Sequence, residues 1–177
     1  MRKSKFGGMV LWLVLIVLVI VPLYQFWGLV HAGGGKTNAK FLLYQVSLFQ
    51  MELLYNQLNQ SAQAKDTAQL DALKQDVYAM NYTHERLVLA FGGSKINQLD
   101  SLSKLMQYIE RLQIGGRRAL KPEEISLLQQ ITQDFKPVYT AYDKLISTNV
   151  KVNASQNSTM MKQDQKISLF INQKLLN

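Results

Sequence analysis

Few residues in this chain could do chemistry. It has no cysteine and two histidines, His31 and His84. His84 sits in an apolar pattern between Met80 and Leu87. An imidazole there could act as a proton switch or a metal ligand. A metal would need further ligands, and His31 lies in a different part of the chain. Asp76 and Glu85 are near in sequence but make no ligating pattern with His84. The expectation is a structural histidine satisfied by one hydrogen bond, with proton sensing as the sharper alternative. Tyr44, Tyr55, Tyr78, Tyr82, Tyr108, Tyr139 and Tyr142 form a second set. Several fall where a helix seam would bury them, and Tyr139 and Tyr142 could bring hydroxyls to a ligand pocket between helices. Arg117, Arg118 and Lys121 concentrate positive charge on one loop. They could grip a carboxylate or phosphate of a partner, although charged loops are commonly just solvated.

Searches for catalytic patterns are negative. The chain contains no Walker loop, no Gly-x-Gly-x-x-Gly, no His-Glu-x-x-His and no Gly-x-Ser-x-Gly. Glu123 and Glu124 are adjacent, so on a helix they point to different sides and make no acid–base pair. No catalytic, cofactor-binding or metal-binding residue is expected, and the protein reads as non-enzymatic. Asn59, Asn81, Asn153 and Asn157 match the glycosylation acceptor pattern. In a chain without cysteine we take these matches as coincidental. The formal charge of +8 is spread without a basic block. That favours an anionic surface as the attractor over a nucleic-acid site.

The elements that must position these residues begin with Met9 to Val30. From Met9 to Leu23 there is no charged or amide side chain, and Gln25 is the one strongly polar group before Val30. A hydrocarbon core about 30 Å thick needs roughly 20 apolar residues of helix. Tyr24, Phe26 and Trp27 stand at the far end, where aromatic rings favour the membrane–water interface. Arg2, Lys3 and Lys5 precede the segment without an acid, which places the N-terminus in the cytoplasm. A cleaved signal peptide is the alternative, but its apolar region should be shorter.

The rest of the chain shows the 3.6-residue period of helices. The expected organisation is a cytoplasmic N-terminus at 1–8, a transmembrane helix at 9–30, a glycine linker at 31–35, an extracytoplasmic helical bundle at 36–150, and a polar linker with an amphipathic tail at 151–177. The first seam is Phe41, Tyr44, Leu48, Met51, Tyr55, Leu58 and Ala62, widened by Leu42, Val46, Phe49 and Leu53. The second is Leu70, Leu73, Val77, Met80, His84, Leu87 and Phe91, closed by Gly92-Gly93. Ser94 is the expected cap of a third helix with Ile96, Leu99, Leu102, Met106 and Ile109 on one face. Pro122, Glu123 and Glu124 mark the start of a fourth, which Pro137 should kink or break. After Thr148 the pattern decays, and Met160 to Leu176 reads as a short amphipathic helix on the bundle or the membrane. The fold class is all-α: an N-terminal transmembrane helix, an antiparallel up-down four-helix bundle of coiled-coil-like seams, and a short C-terminal amphipathic helix.

This layout implies a single-pass protein of the inner membrane with its main domain in the periplasm or outside the cell. Its expected partners are the membrane and other membrane or envelope proteins, with a homo-oligomer among the assemblies the seams allow and no nucleic acid. The leading function is an envelope accessory or scaffold subunit acting through protein–protein contacts. The architecture from Lys36 to about Asn149 also resembles the ligand-binding ectodomains of bacterial chemoreceptors and sensor kinases. That resemblance implies a sensory alternative, in which the chain signals through a separate partner because it has no second membrane segment and no output domain. An exposed apolar stripe would favour the scaffold, and a buried, partly polar cavity the sensor.

Overall fold

The computed structural model describes residues 34–175. Contacts divide the chain into two compact units, Met1–Asn38 and Ala39–Asn177, and the second carries the bundle. The expected membrane segment, with Tyr24, Phe26 and Trp27, lies outside the described residues. Among the described residues no helix is long and apolar enough to cross a membrane.

The architecture is all-helical. The helices are α1 (Gly34–Ser61), α2 (Asp71–Phe91), α3 (Asp100–Gln113), α4 (Pro122–Asp143) and α5 (Ala154–Leu175), with a 3-10 turn at Thr67–Leu70 leading into α2. No strand occurs among the described residues. Two isolated bridges, Asp66 with Ala119 and Ile146 with Val152, tie loops together.

The α2 seam is buried as its spacing dictates, from Leu73 through Val77, Met80, His84 and Leu87 to Phe91. Its end needs a glycine: Gly92 has φ +98°, and its N–H donates to the Val88 carbonyl at 2.8 Å. α4 begins where Pro122 and the two glutamates predict, because a missing N–H costs nothing in a first turn and acids suit the helix dipole. Pro137 does not break it, since α4 runs continuously to Asp143. In α1 the buried row is Tyr44, Ser47, Met51, Leu54, Leu58 and Ser61, while Phe41, Leu48 and Tyr55 are half-buried at its side.

Two expectations need correction. Ser94 does not cap α3. It is exposed in a loop from Gly92 to Leu99, and the helix starts at Asp100. Ile96 and Leu99 are buried, but from that loop. The second correction concerns 151–177, where a polar linker and a short tail were expected. The helix already starts at Ala154 and is as long as α4. Met160, Asp164, Ile167, Ser168 and Ile171 face inward, and α5 packs against both α3 and α4. The bundle therefore has five helices, not four.

Hydrogen bonds fix the helix directions. The Tyr44 hydroxyl donates to the Tyr142 carbonyl at 2.9 Å, and the Thr132 hydroxyl to the Leu58 carbonyl at 3.1 Å, so α1 and α4 are antiparallel. Lys74 Nζ donates to Gln113 Oε1 at 2.9 Å while His84 meets Asn97, which makes α2 and α3 antiparallel. Ser101 meets Asp164 and Lys104 meets Asn172, so α3 and α5 are parallel. At one end the turn after α1 is stitched to the loop before α4: Thr67 N–H donates to the Arg118 carbonyl and Leu120 N–H to the Lys65 carbonyl, both at 2.9 Å. α5 brings the chain's end back there, where the Arg111 guanidinium donates to the Leu175 carbonyl. The connection from α4 to α5 is a tight loop in which Asn153 N–H donates to the Leu145 carbonyl at 2.8 Å. Val150, within that loop, has φ +60°, a conformation that costs a β-branched residue about 1–2 kcal/mol.

Candidate functional site

Two polar clusters are built into the core. The first joins α1, α2 and α4. His84 Nε2 lies 2.9 Å from the Asn97 carbonyl oxygen, which can only accept, so Nε2 carries the proton. Nδ1 is then the acceptor for the Tyr142 hydroxyl at 3.2 Å. The two rings are tilted by 55°, with centroids 5.7 Å apart. Tyr44 stacks beside Tyr142 and shares its hydroxyl between the Tyr142 and Asp143 carbonyls, at 2.9 and 2.8 Å. Those carbonyls belong to the last turn of α4, where helical partners run out. Ser47 donates to the Leu43 carbonyl at 2.9 Å and approaches the Thr83 carbonyl of α2 at 3.4 Å. The small Ser47 side chain, opposite Thr83, lets the two helices come close.

Burial sets the protonation states here. Desolvation pushes His84 down to about 4, and the hydrogen bond to Asn97 only partly opposes it. Burial also raises the Tyr142 phenol, and the nearby Ser47 hydroxyl lowers it only in part. Both groups are neutral across the physiological range, so the cluster holds no ready charge. It is a neutral strut with its polar atoms mutually satisfied. The expected single partner of His84 is in fact two.

The second cluster joins α3 and α5. Asp164 accepts from the backbone N–H groups of Asp100 and Ser101, each at 3.0 Å, and from the Ser101 hydroxyl. It is an N-cap supplied by another helix, since Leu99 at the cap position has no side chain that can do this. Burial raises its carboxyl above the ordinary value, against the three donors that lower it. Sequence reasoning missed Asp164. The usable signal was an acid at the centre of an inward row, Met160, Asp164, Ile167 and Ile171.

The other residues singled out from sequence disperse. Tyr139 is not with His84; it stacks on Tyr55 at 5.1 Å with 7° between the planes. Tyr78 and Tyr82 are exposed on α2, and the Arg86 guanidinium lies 4.7 Å over the Tyr82 ring. Tyr108 is buried, and its phenol is pushed up to about 12, chiefly by desolvation. Arg117 is 77 % exposed and pairs with Asp66 at 3.0 Å. Arg118 makes a two-pronged pair with Glu124, at 2.7 and 2.8 Å, and holds that carboxyl below its usual range. Lys121 is exposed, and its backbone N–H donates to Glu124 at 2.8 Å. Arg117 and Arg118 are thus each paired with a carboxylate of this chain.

Several pockets open at the surface. A cleft of about 370 Å³ between α2 and the start of α3 is lined by Asn81, Glu85, Leu89, Gln98 and Asp100. Others are bordered by Arg111, Glu123 and Lys174, and by Asp71 and Arg117. No group of three or more histidine, aspartate or glutamate side chains able to hold a metal occurs among the described residues.

Known protein families, curated proteins and solved structures contain no match to this chain. Function must be argued from its own surface. Exposed apolar residues line up on two helices, as Tyr78, Tyr82 and Leu89 on α2 and as a second row on α1. Leu42, Val46 and Phe49 are 59 %, 50 % and 56 % exposed, and they follow one another at four- and three-residue steps along one side of the helix. The core row of Tyr44, Met51 and Leu58 occupies the opposite side. α1 is apolar on both faces, and one of them has nothing against it among the described residues.

Proposed function

We propose that this chain is a non-enzymatic, single-pass membrane protein whose extracytoplasmic bundle acts as an accessory or scaffold subunit of the cell envelope, through protein–protein contacts. The observation that carries this is the exposed apolar row Leu42, Val46 and Phe49 on α1. Scattered surface apolar residues need no explanation, whereas an aligned row on one helix is what a helix-binding surface offers. The polar atoms of His84 are taken up by Tyr142 and Asn97, which supports binding through outer faces over binding at this cluster. The run from Met9 to Val30 supports the membrane assignment, and Arg2, Lys3 and Lys5 its orientation. The test combines fractionation with a topology reporter. The full-length chain should remain in washed membranes, and a reporter fused after Asn177 should be active only outside the cytoplasm. Recovery in the soluble fraction, or a mature N-terminus at Gly33, would overturn the membrane assignment. Copurification under mild detergent should recover an assembly that Leu42→Ser and Phe49→Ser disperse.

A further inference from the structure

We infer that the outer face of α1 is an interface between two copies of this chain, with their α1 helices parallel along a common seam. This names the partner for the binding role proposed above and rests on it. Counted along the helix, the exposed row extends at the same three- and four-residue steps to Ala39 before it and to the half-buried Leu53 after it. Alternating steps of three and four are the geometry with which two helices interlock side chains along a straight line.

Charge identifies the occupant. The chain has 20 lysine and arginine residues and a net charge of +8, so two copies repel wherever their basic faces meet. α1 is the exception. Between Lys40 and Lys65 there is no lysine or arginine, and Lys40 itself is drawn aside, 5.2 Å over the Phe91 ring. The positions flanking the row are Leu43, Gln45, Gln50, Glu52, Gln57 and Asn59. A dissimilar helix would be selected by charges at such positions, and amides select nothing of the kind. In a parallel pair Glu52 faces Gln57 of the second copy, five residues on, so the one charge in the flank meets no like charge. A lipid surface fits less well, because helices lying on membranes carry lysine or arginine beside their apolar face. The parallel sense follows from two copies inserted in one membrane with the same topology.

The absence of cysteine makes the test direct. Leu42→Cys and Phe49→Cys are introduced singly into the full-length chain, with Tyr78→Cys on α2 and Leu169→Cys on α5 as controls of similar exposure. Washed membranes are then oxidised mildly. In a parallel pair each seam position meets itself, so both α1 variants should form disulfide-linked dimers in several-fold excess over both controls. Adding Val46→Glu to the Phe49→Cys chain should remove that excess while leaving the melting temperature unchanged. Equal or absent cross-linking at the four positions overturns the proposal. So does a mixed disulfide between Leu42→Cys and Leu53→Cys chains without either self-disulfide, which reverses the orientation. Protection of the row from thiol reagents without dimer formation would assign it to lipid or to another protein, and also overturns it. Fractionation of the unoxidised chain reports the membrane assignment separately, so failure of that assignment and failure of the seam are distinguishable.

Discussion

Acid should loosen this bundle through one residue. In the folded chain His84 donates to the Asn97 carbonyl and accepts the Tyr142 hydroxyl, within a core that excludes water. Its protonation is held down to about 4 from an ordinary 6.5. Well above the ordinary value the imidazole is neutral in both the folded and the unfolded chain, and pH has no effect through it. Below that value the unfolded chain takes up a proton that the folded chain refuses, so stability falls with pH. The loss levels off once the folded chain is protonated as well, near 4. Between about pH 7 and about pH 5 this linkage amounts to about 2 kcal/mol, or roughly 5–10 °C in Tm for a domain of this size. Asp164 acts with the opposite sign. Its carboxyl is raised by burial, so the folded chain takes that proton first and gains stability as pH falls. The comparison that isolates His84 is therefore with His84→Gln, which keeps an amide donor for Asn97, loses the titration and leaves Asp164 in place. Thermal melts of both full-length proteins in mild detergent, followed by circular dichroism at the two pH values, supply the test. The Gln variant should start less stable but lose about 2 kcal/mol less on acidification. If both proteins lose the same amount, the histidine is not sealed from solvent as described. His84→Leu at neutral pH should cost about 2–4 kcal/mol, because it takes one partner from the buried Tyr142 hydroxyl and leaves the Asn97 carbonyl without this partner. A histidine with the single expected partner would cost less than about 1.5 kcal/mol.

Asp164→Ala removes the only side-chain cap seen on α3 and leaves two backbone N–H groups without their acceptor. A denaturant titration should show a loss of about 1–3 kcal/mol, and Asp164→Asn should recover part of it. Ser168→Ala should do the reverse, raising stability by up to about 1 kcal/mol, since the Ser168 hydroxyl is buried without a partner. Deleting Met160 to Asn177 should unfold the bundle. Met160, Ile167 and Ile171 are fully buried, each contributes about 1.5–3 kcal/mol, and a domain has only about 5–15 kcal/mol in total. A cooperative melt from the truncated chain would show that α5 is dispensable.

Helix class and most seams were legible because burial in α2 and α4 follows one period without interruption. Leu73 to Phe91 reads the same in sequence and in space. The failures share a cause, which is that a polar residue satisfied by a distant one looks like a surface residue. α5 was read as a short helix on the bundle or the membrane, because Asp164 looks like a surface residue in sequence and the donors that make its burial tolerable come from α3. The start of α3 was misplaced for the complementary reason. Ser94 is a good capping residue in the right place, but the acceptor that caps the helix lies on α5, more than sixty residues away. The pairing of the arginine loop with acids is likewise invisible in sequence. Asp66 reaches Arg117 only after the turn behind α1 is stitched to the loop before α4.

The wide apolar stripe of α1 meets more than one neighbour, α2 through Ser47 and α4 through Tyr44, and still leaves a row outside. The inward side takes Tyr44, Met51, Leu54 and Leu58, with Tyr55 stacked on Tyr139 of α4 and Ser47 against α2, and that side is then full. Leu42, Val46 and Phe49 cannot turn inward without turning Tyr44 and Met51 out, because all lie on one rigid helix. Repacking among the described residues therefore cannot cover the outer row. Polar substitutions there should consequently separate two properties that core substitutions would confound. They should leave the melt of the bundle unchanged and alter only what the bundle binds.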